Sequence, residues 1–204
     1  MSQFLANIAD HRHPDHRRLS LIVAMSEKDR VIGINNRMPW RLASHDAILA
    51  QHSQGKCVIM GRSAFEALGR PSQGHAHFVV TSTPHGLAIP IPEIPESSAL
   101  TLCSSVDEAV AAALPMHRDI VFIGGEQTYR EGLLYAHEII ASIVKCPLDG
   151  DAFFTSFQID KHASLETPLG FTFGRPFQIQ EVLHKQEANE LNDFAFTSYR
   201  LKAK

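Results

Sequence analysis

The chain has 204 residues, of which 44% are hydrophobic and 20% are charged, and its formal net charge is −3. This composition is typical of a folded globular domain, and it excludes a disordered chain, a disulfide scaffold and a coiled coil. No apolar run approaches the roughly 20 residues of a membrane helix, and no signal peptide follows the start. The negative net charge offers nucleic acid no general attraction, so we expect neither a membrane nor a nucleic-acid partner.

Histidine is frequent in this chain, with 12 residues. His11, His13 and His16 lie in a polar first segment, where a proline and several arginines favour a solvated tail over a metal site. The cysteines stand far apart in different apolar stretches, which favours buried reduced thiols in a cytoplasmic protein. We therefore predict a flexible tail over residues 1–18, a single domain over residues 19–204 and no metal.

Beyond the tail, apolar runs alternate with amphipathic stretches, which is the pattern of an α/β fold. The runs predicted to be strands are LSLIVAM (19–25), KCVIMG (56–61), HFVVTST (77–83), ALTLC (99–103), DIVFIGG (119–125) and HEIIASIVK (137–145). The stretches predicted to be helical are ASHDAILAQHSQG (43–55), SAFEAL (63–68), SSVDEAVAAAL (104–114) and EQTYREGLL (126–134). Strands that are apolar on both faces are typical of a parallel sheet covered by helices.

Local signals predict several element ends. Ser44 is a candidate N-cap of the first helix, and Gly55 is a candidate stop. Ser105 is followed by Glu108 at the spacing of a capping box. The segment 84–98 holds four prolines and no periodicity, which predicts a surface loop.

Two alternating, aromatic-bearing runs lie near the C-terminus. They are FQIQEVLHK (177–185) and FAFTSYRLK (194–202), and a polar stretch separates them. This pattern predicts an antiparallel hairpin that closes an otherwise parallel sheet.

Three strand ends, two of them in strand-to-helix turns, place polar groups at the carboxyl edge of the predicted sheet, where open α/β sheets bind ligands. The turn at Gly124–Gly125 lets a ligand approach the backbone closely, although Gly-Gly also occurs for packing reasons. The turn at Arg62–Ser63 adds a forked cation suited to phosphate, and Thr81–Thr83 adds hydroxyls. Together they favour a dinucleotide with an extra phosphate.

The loop GINNRMPW (33–40) carries the only tryptophan, Trp40, directly before a helix whose first turn holds Asp46. Trp40 is either a core anchor or part of a site. Asp46 either compensates the helix dipole or serves a ligand. The residues alone leave both alternatives open.

The order of these segments resembles the dihydrofolate reductase family. The segments are LSLIVAM, RVIGINNRMPW, VIMGRSAFEALGRP, VVTST, SSVDEA, VFIGGEQTYREGLL and DGDAFF, and the likeness spans Leu19 to Leu201. The resemblance implies a central, mostly parallel eight-stranded sheet with an antiparallel C-terminal strand, flanked by helices. It also implies NADPH-dependent reduction of 7,8-dihydrofolate to tetrahydrofolate in one-carbon metabolism, by hydride transfer to the pterin ring. Separately, we expect the protein to be a monomer.

The resemblance also implies which residues bind ligands, beneath a loop over residues 26–41. The implied cofactor residues are Ala24, Ile32, Gly33, Met38, Gly61, Arg62, Ser63, Ala64, Thr81, Ser82, Ile123, Gly124, Gly125, Gln127, Thr128 and Tyr129. The implied substrate residues are Ile22, Val23, Ala24, Asp46, Leu49, Leu68, Arg70, His75, Ile123 and Ser142.

The family places one carboxylate in the pocket, on the helix after the tryptophan. The spacing found in vertebrate members puts it at Asp46, whereas the bacterial spacing and a gapless count from VIMGR both put it at His45. An imidazole cannot accept two hydrogen bonds as a carboxylate does, so we expect Asp46 to be the acid. Trp40 would assist it, and the hydroxyl of Ser142 would brace it.

A second departure concerns the substrate's tail. His75 stands where the family usually has an arginine that pairs with the glutamate carboxylate, while Arg70 is retained. Preference for NADPH over NADH would rest mainly on Arg62. These departures keep two alternatives open: a reductase of another pterin or of an aminopyrimidine such as a riboflavin precursor, and a non-catalytic NADPH-binding homologue.

Overall fold

The computed structural model describes residues 17–68, 76–83, 99–155 and 177–203. Its strands are β1 (Leu19–Ser26), β2 (Val31–Gly33), β3 (Cys57–Gly61), β4 (Ala76–Val80), β5 (Ala99–Cys103), β6 (Ile120–Phe122), β7 (Glu138–Val144), β8 (Ala152–Phe153), β9 (Phe177–Gln186) and β10 (Phe196–Ala203). Its helices are α1 (Ala43–Ser53), α2 (Arg62–Leu68), α3 (Val106–Ala113) and α4 (Glu126–Gly132), and a 3₁₀ turn follows α3.

One eight-stranded sheet organises these elements, in the order β5-β4-β3-β6-β1-β7-β10-β9. Neighbouring strands pair in parallel from β5 to β7, and β10 is antiparallel to both β7 and β9. The predicted fold class, a mostly parallel sheet with an antiparallel C-terminal strand, is confirmed. A second sheet pairs β2 with β8, and it was not predicted because strands of three and two residues leave no alternation to recognise.

The sheet buries apolar side chains on both faces, as its unbroken runs predict. Alternation along β1 turns Val23 and Met25 toward the larger core cluster, with α3 and the aromatic residues Phe122 and Phe154. Ile22 packs on the opposite face. That opposite face carries α1 and the functional cavity described below, so the parity of a β1 residue decides whether it reaches a ligand.

The last two residues of the predicted tail, Arg17 and Arg18, make hydrogen bonds to other described residues. Ile120 N donates to Arg18 O at 3.0 Å, Arg18 N donates to Asp119 Oδ1 at 3.0 Å, and Arg17 Nη1 donates to Leu114 O. These bonds attach Arg17 and Arg18 to the domain. Residues 1–16, which include His11, His13 and His16, lie outside the described residues, as does segment 84–98.

Among the described residues, no helix is long and apolar enough to cross a membrane. Within that same part of the chain, no group of histidine, cysteine and acidic side chains has a metal-binding arrangement. The three cysteines, Cys57, Cys103 and Cys146, are buried thiols that form no disulfide.

Two helix N-termini show different capping solutions. The hydroxyl of Ser105 accepts a hydrogen bond from Glu108 N at 3.1 Å, which confirms the cap predicted for α3. The cap predicted for α1 at Ser44 is wrong, because α1 begins at Ala43 and its cap residue makes no side-chain bond. Instead, Oδ1 of the remote Asn192 accepts from Ser44 N at 3.0 Å.

Replacing Asn192 with alanine is expected to lower the free energy of unfolding by about 1–2 kcal/mol, measured by urea denaturation. Asn192 is 2% exposed, and its loss leaves the N–H of the half-buried Ser44 without this acceptor. The control is Leu191→Ala, since that neighbouring side chain is 62% exposed and its loss should change stability by less than about 0.5 kcal/mol. Equal losses in both variants would contradict a capping role.

Candidate active site

A cavity of about 490 Å³ opens at the carboxyl edge of the sheet, between α1 and α2. Its walls come from the ends of β1, β3 and β6, the β2 loop and the start of α4. The structure brings many of the predicted site residues together on these walls. They are Ile22, Ala24, Ile32, Gly33, Met38, Asp46, Leu49, Ser63, Ala64, Leu68, Ile123, Gly124, Gly125 and Tyr129.

Other predicted residues that the structure describes lie off the cavity wall. They are Val23, Trp40, Gly61, Arg62, Thr81, Ser82, Gln127, Thr128 and Ser142. Val23 does not line the cavity, because strand alternation directs its side chain into the core on the other face. Gln127 is turned toward Glu131, with Nε2 donating to Oε1 at 2.8 Å. Arg70 and His75 lie outside the described residues.

Trp40 supports the cavity from behind. It is 7% exposed and packs with Leu42 and Ala24 in a small apolar cluster. Its indole Nε1 has no hydrogen-bond partner within the described ranges. Trp40 is thus a core anchor that touches the cavity residue Ala24.

Several wall residues were not predicted. They are Asn36, Arg37, Met60, Ala67, Glu126, Asp151 and Ala152. His45, the alternative position for the acid, also lines the wall. Helical periodicity could have found Ala67, since it lies three residues after Ala64 on α2. Asp151 belongs to the DGDAFF segment, and its Oδ2 accepts Asn35 N at 2.9 Å, which joins the β2 loop to the β8 side of the cavity.

His45 occupies the inner wall of the cavity. It is 5% exposed, and its Nδ1 lies 2.9 Å from Ser142 Oγ. Ser142 therefore contacts His45 and not Asp46, which corrects the predicted pairing of Ser142 with the acid. Burial lowers the pKa of the His45 imidazole to about 4, so the ring is neutral near pH 7.

Asp46 lies at the rim of the same cavity, one position further along α1. Adjacent helical residues differ by about 100° in direction, which turns Asp46 outward when His45 faces Ser142. Its carboxylate has no hydrogen-bond partner in the described part of the chain, whereas Asp151 and Glu126 are bonded to Asn35 N and Phe153 N. Partial burial raises the pKa of the Asp46 carboxyl above its usual value.

The glycine turn after β6 forms the floor of the cavity. A Cβ on Gly124 would lie 2.7 Å from the Cβ of Ala64, and a Cβ on Gly125 would lie 3.2 Å from the Cα of Gly61. Gly61 N donates to Gly124 O at 2.9 Å, which joins the ends of β3 and β6. Only backbone without side chains fits here, and this leaves a smooth surface against which a nucleotide can lie.

Arg62 begins α2 beside this turn and is half-buried. Its Nε donates to Glu66 at 2.7 Å and its Nη1 donates to Thr83 Oγ1 at 2.9 Å. The guanidinium is thereby fixed between α2 and the end of β4. Thr81 Oγ1 accepts Thr83 N at 3.2 Å and holds the adjoining backbone. This cation and these hydroxyls match the chemistry predicted for a cofactor phosphate.

Because His45 is buried as a neutral imidazole, we predict that the free energy of unfolding depends on pH. The unfolded chain takes up a proton on this residue near pH 6.5 and the folded chain only near pH 4. Between these values the unfolded state binds more protons, so the free energy of unfolding falls as pH falls, by about 3 kcal/mol. Above pH 6.5 His45 is neutral in both states, and its titration no longer lowers the free energy of unfolding. Urea denaturation at successive pH values measures this.

The matched variant is His45→Gln, which keeps a side chain able to bond Ser142 but does not titrate. Because other titrating groups are common to both proteins, the difference between wild type and variant isolates His45. Parallel stability curves from pH 7 to pH 4 would contradict the buried neutral imidazole.

Comparisons with known proteins agree with the predicted resemblance. The family model described as dihydrofolate reductase matches residues 18–168. The chain is 33% identical over 135 residues to the dihydrofolate reductase of Haemophilus influenzae, covering 66% of this chain and 77% of that protein. It is 31% identical over 140 residues to dihydrofolate reductase type 3 of Salmonella typhimurium, covering 68% of this chain and 79% of that protein.

A solved structure shares the fold. Dihydrofolate reductase from Enterococcus faecalis, complexed with NADP(H) and RAB-propyl, superposes with a TM-score of 0.68 at 22% identity, covering 92% of this chain and 96% of that one. The family match spans most of the chain and independently confirms the resemblance read from its motifs. The chain belongs to the dihydrofolate reductase family.

Proposed function

We propose that this chain reduces 7,8-dihydrofolate to tetrahydrofolate with NADPH. One observation carries the proposal: a single cavity joins a side-chain-free glycine turn, suited to a nucleotide, to the unpaired carboxylate of Asp46. The family membership supplies the reaction type.

The residues present fit the cofactor, because the Gly124–Gly125 turn forms a cradle that any Cβ would fill. NADPH supplies the hydride when it is bound. Ser63 and Ala64, at the start of α2, would lie beside the cofactor phosphates, and Arg62 would bind the 2′-phosphate that distinguishes NADPH from NADH. Tyr129 lines the same cavity, and the other predicted cofactor residues, Thr81, Ser82, Gln127 and Thr128, lie off its wall.

The β2 loop covers the reacting end of the cavity. Ile32, Gly33 and Met38 line it, and the bond from Asn35 N to Asp151 Oδ2 holds the loop in place. Excluding water there protects hydride transfer and strengthens the polar contacts inside.

The apolar walls hold the pterin ring, and Asp46 orients it. Ile22, Leu49, Leu68 and Ile123 supply the walls. The Asp46 carboxylate has two oxygens that accept from the adjacent N–H groups of an aminopyrimidine edge. Arg70 and His75 remain the predicted partners of the glutamate tail.

The deciding experiment follows NADPH oxidation at 340 nm with dihydrofolate, and then with a dihydropterin that lacks the tail. We expect turnover with dihydrofolate and a higher KM for the dihydropterin that lacks the tail. NADPH binding without turnover on either substrate would contradict it and would favour a non-catalytic homologue.

A second candidate is favoured by His45. A neutral imidazole on the inner wall accepts one hydrogen bond where a carboxylate accepts two, which suits another pterin or an aminopyrimidine such as a riboflavin precursor. Equal efficiency with and without the tail, or preference for a riboflavin precursor in the same assay, would support this candidate over the first.

We also propose that the protein works as a monomer in the cytoplasm and binds no nucleic acid. Three buried thiols without a disulfide suit a reducing compartment, and the net charge of −3 suits small-molecule ligands. Light scattering after size exclusion tests the oligomeric state, and a dimer mass would overturn that part.

A further inference from the structure

A row of three polar side chains runs from the cavity onto the paired strands β7 and β10. Nδ1 of His45 lies 2.9 Å from Ser142 Oγ, which in turn lies 2.6 Å from Ser198 Oγ. Ser142 on β7 and Ser198 on β10 are directly opposite in register, and both are 0% exposed. Burying two hydroxyls costs free energy that their mutual hydrogen bonds only offset, so the row is not explained by packing.

The two hydroxyls serve either protonation state of the imidazole. When the ring is neutral, Ser142 can donate to Nδ1. When the ring is protonated, Nδ1–H donates to Ser142 Oγ, and Ser142 turns its own proton toward Ser198. A carbonyl at this place would bond only the Nδ1–H form. In both states Nδ1 is occupied, and Nε2 is the ring nitrogen left for a ligand in the cavity.

We propose that His45 is the general acid of the reduction and that Ser142 and Ser198 are positioning residues that stabilise its protonated form. This inference rests on the proposed function. It separates two tasks within the cavity, since Asp46 orients the pterin and His45 delivers the proton.

The proton step balances with hydride transfer. The Nε2–H bond of protonated His45 breaks, and its electron pair stays on the imidazole. The proton forms an N–H bond on the pterin nitrogen next to the carbon that takes the hydride, directly or through one bound water. The neutral imidazole then regains a proton from solvent through the cavity mouth, and the hydroxyls of Ser142 and Ser198 rotate back.

The surroundings of His45 make this step depend steeply on pH. The charged groups that share its cavity are Asp46 on its own helix, and Arg37, Glu126 and Asp151 on the other walls. Beyond Ser198, the next titratable residue in register is His184 on β9. Further along the same face, Arg200 on β10 forms an ion pair with Glu138 on β7 at 3.4 Å. Burial is the cause that lowers the pKa of His45 to about 4, so about one ring in a thousand is protonated at pH 7.

The first test measures single-turnover hydride transfer against pH, with 4-deuterated NADPH to identify the step. Wild type is expected to gain about tenfold in rate for each pH unit lowered between pH 8 and pH 5. His45→Gln is expected to lose this slope. Asp46→Asn is expected to be slower but to keep the slope. A full slope in His45→Gln overturns the inference.

The second test addresses the hydroxyls. Ser198→Ala is expected to lower the single-turnover rate at pH 7 about tenfold, because the protonated ring loses part of its hydrogen-bonded support. Ser198→Thr keeps the hydroxyl and is expected to stay within about threefold of wild type. Melting temperatures of both variants identify any loss of folding, and equal rates in both variants at equal stability overturn the role of Ser198.

A ligand-free measurement keeps this inference separate from the proposed function. In ¹⁵N NMR titrations, assigned by subtraction of His45→Gln, the pKa of His45 is expected to fall further in Ser198→Ala and not in Ser198→Thr. If the pKa of His45 is unchanged in Ser198→Ala, the positioning role of the two hydroxyls is overturned, even if the protein reduces dihydrofolate. If the wild-type protein did not turn over dihydrofolate, the proposed function would be overturned. The titration would still show whether Ser142 and Ser198 stabilise protonated His45.

Discussion

Asp46→Asn is expected to lower kcat/KM for dihydrofolate about 100-fold, because a carboxylate with two acceptors becomes an amide with one. One charge-assisted hydrogen bond is lost and the other loses its charge assistance, and a total of about 3 kcal/mol accounts for a loss of that size. The amide nitrogen would also face the N–H groups of the substrate, and it cannot accept hydrogen bonds from them. Steady-state kinetics at pH 7 measure the change.

NADPH affinity is expected to stay within about twofold in this variant, since Asp46 lies on α1 while the glycine turn follows β6. The matched control is Asp29→Asn, which makes the same chemical change on an exposed turn residue away from the cavity. If only His45 variants lost activity, and Asp46→Asn were as active as wild type, His45 would be the residue that orients the substrate.

The two candidate acids show what sequence spacing can and cannot decide. Counting from Trp40 in the vertebrate spacing selects Asp46, and counting back from VIMGR selects His45. Both counts are local, and they differ by one position on a helix, or about 100° of direction. The structure orients α1 through a contact with Ser142, which lies 97 residues away from His45. No pattern inside the helix carries that information.

The same reason explains which parts of the fold could be predicted. Buried strands and the cap at Ser105 are specified by neighbouring residues, and sequence reasoning identified them. The cap of α1 comes from Asn192, 148 residues beyond Ser44, so no local signal marks it. The direction of the Val23 side chain could not be predicted for a different reason. In a strand that is buried on both faces, hydrophobicity does not show which residues face a ligand.

Gly124→Ala is expected to raise the Kd for NADPH at least tenfold and to lower the free energy of unfolding by about 2 kcal/mol. The new Cβ would lie 2.7 Å from the Cβ of Ala64, and neither atom is the end of a flexible side chain. The clash is relieved only if α2 moves away from the glycine turn, which disturbs the bond from Gly61 N to Gly124 O. Fluorescence titration and urea denaturation measure the two effects.

Gly55→Ala separates crowding from backbone strain. Gly55 has a φ of +71°, but a Cβ there would meet no atom within 4 Å. Only the left-handed backbone conformation then disfavours alanine, and we expect the free energy of unfolding to fall by about 1 kcal/mol. NADPH affinity should not change. If Gly124→Ala bound NADPH as wild type does, α2 would be free to shift without opening the cleft. The glycine turn would then serve the packing of β3 against β6 rather than the approach of the cofactor.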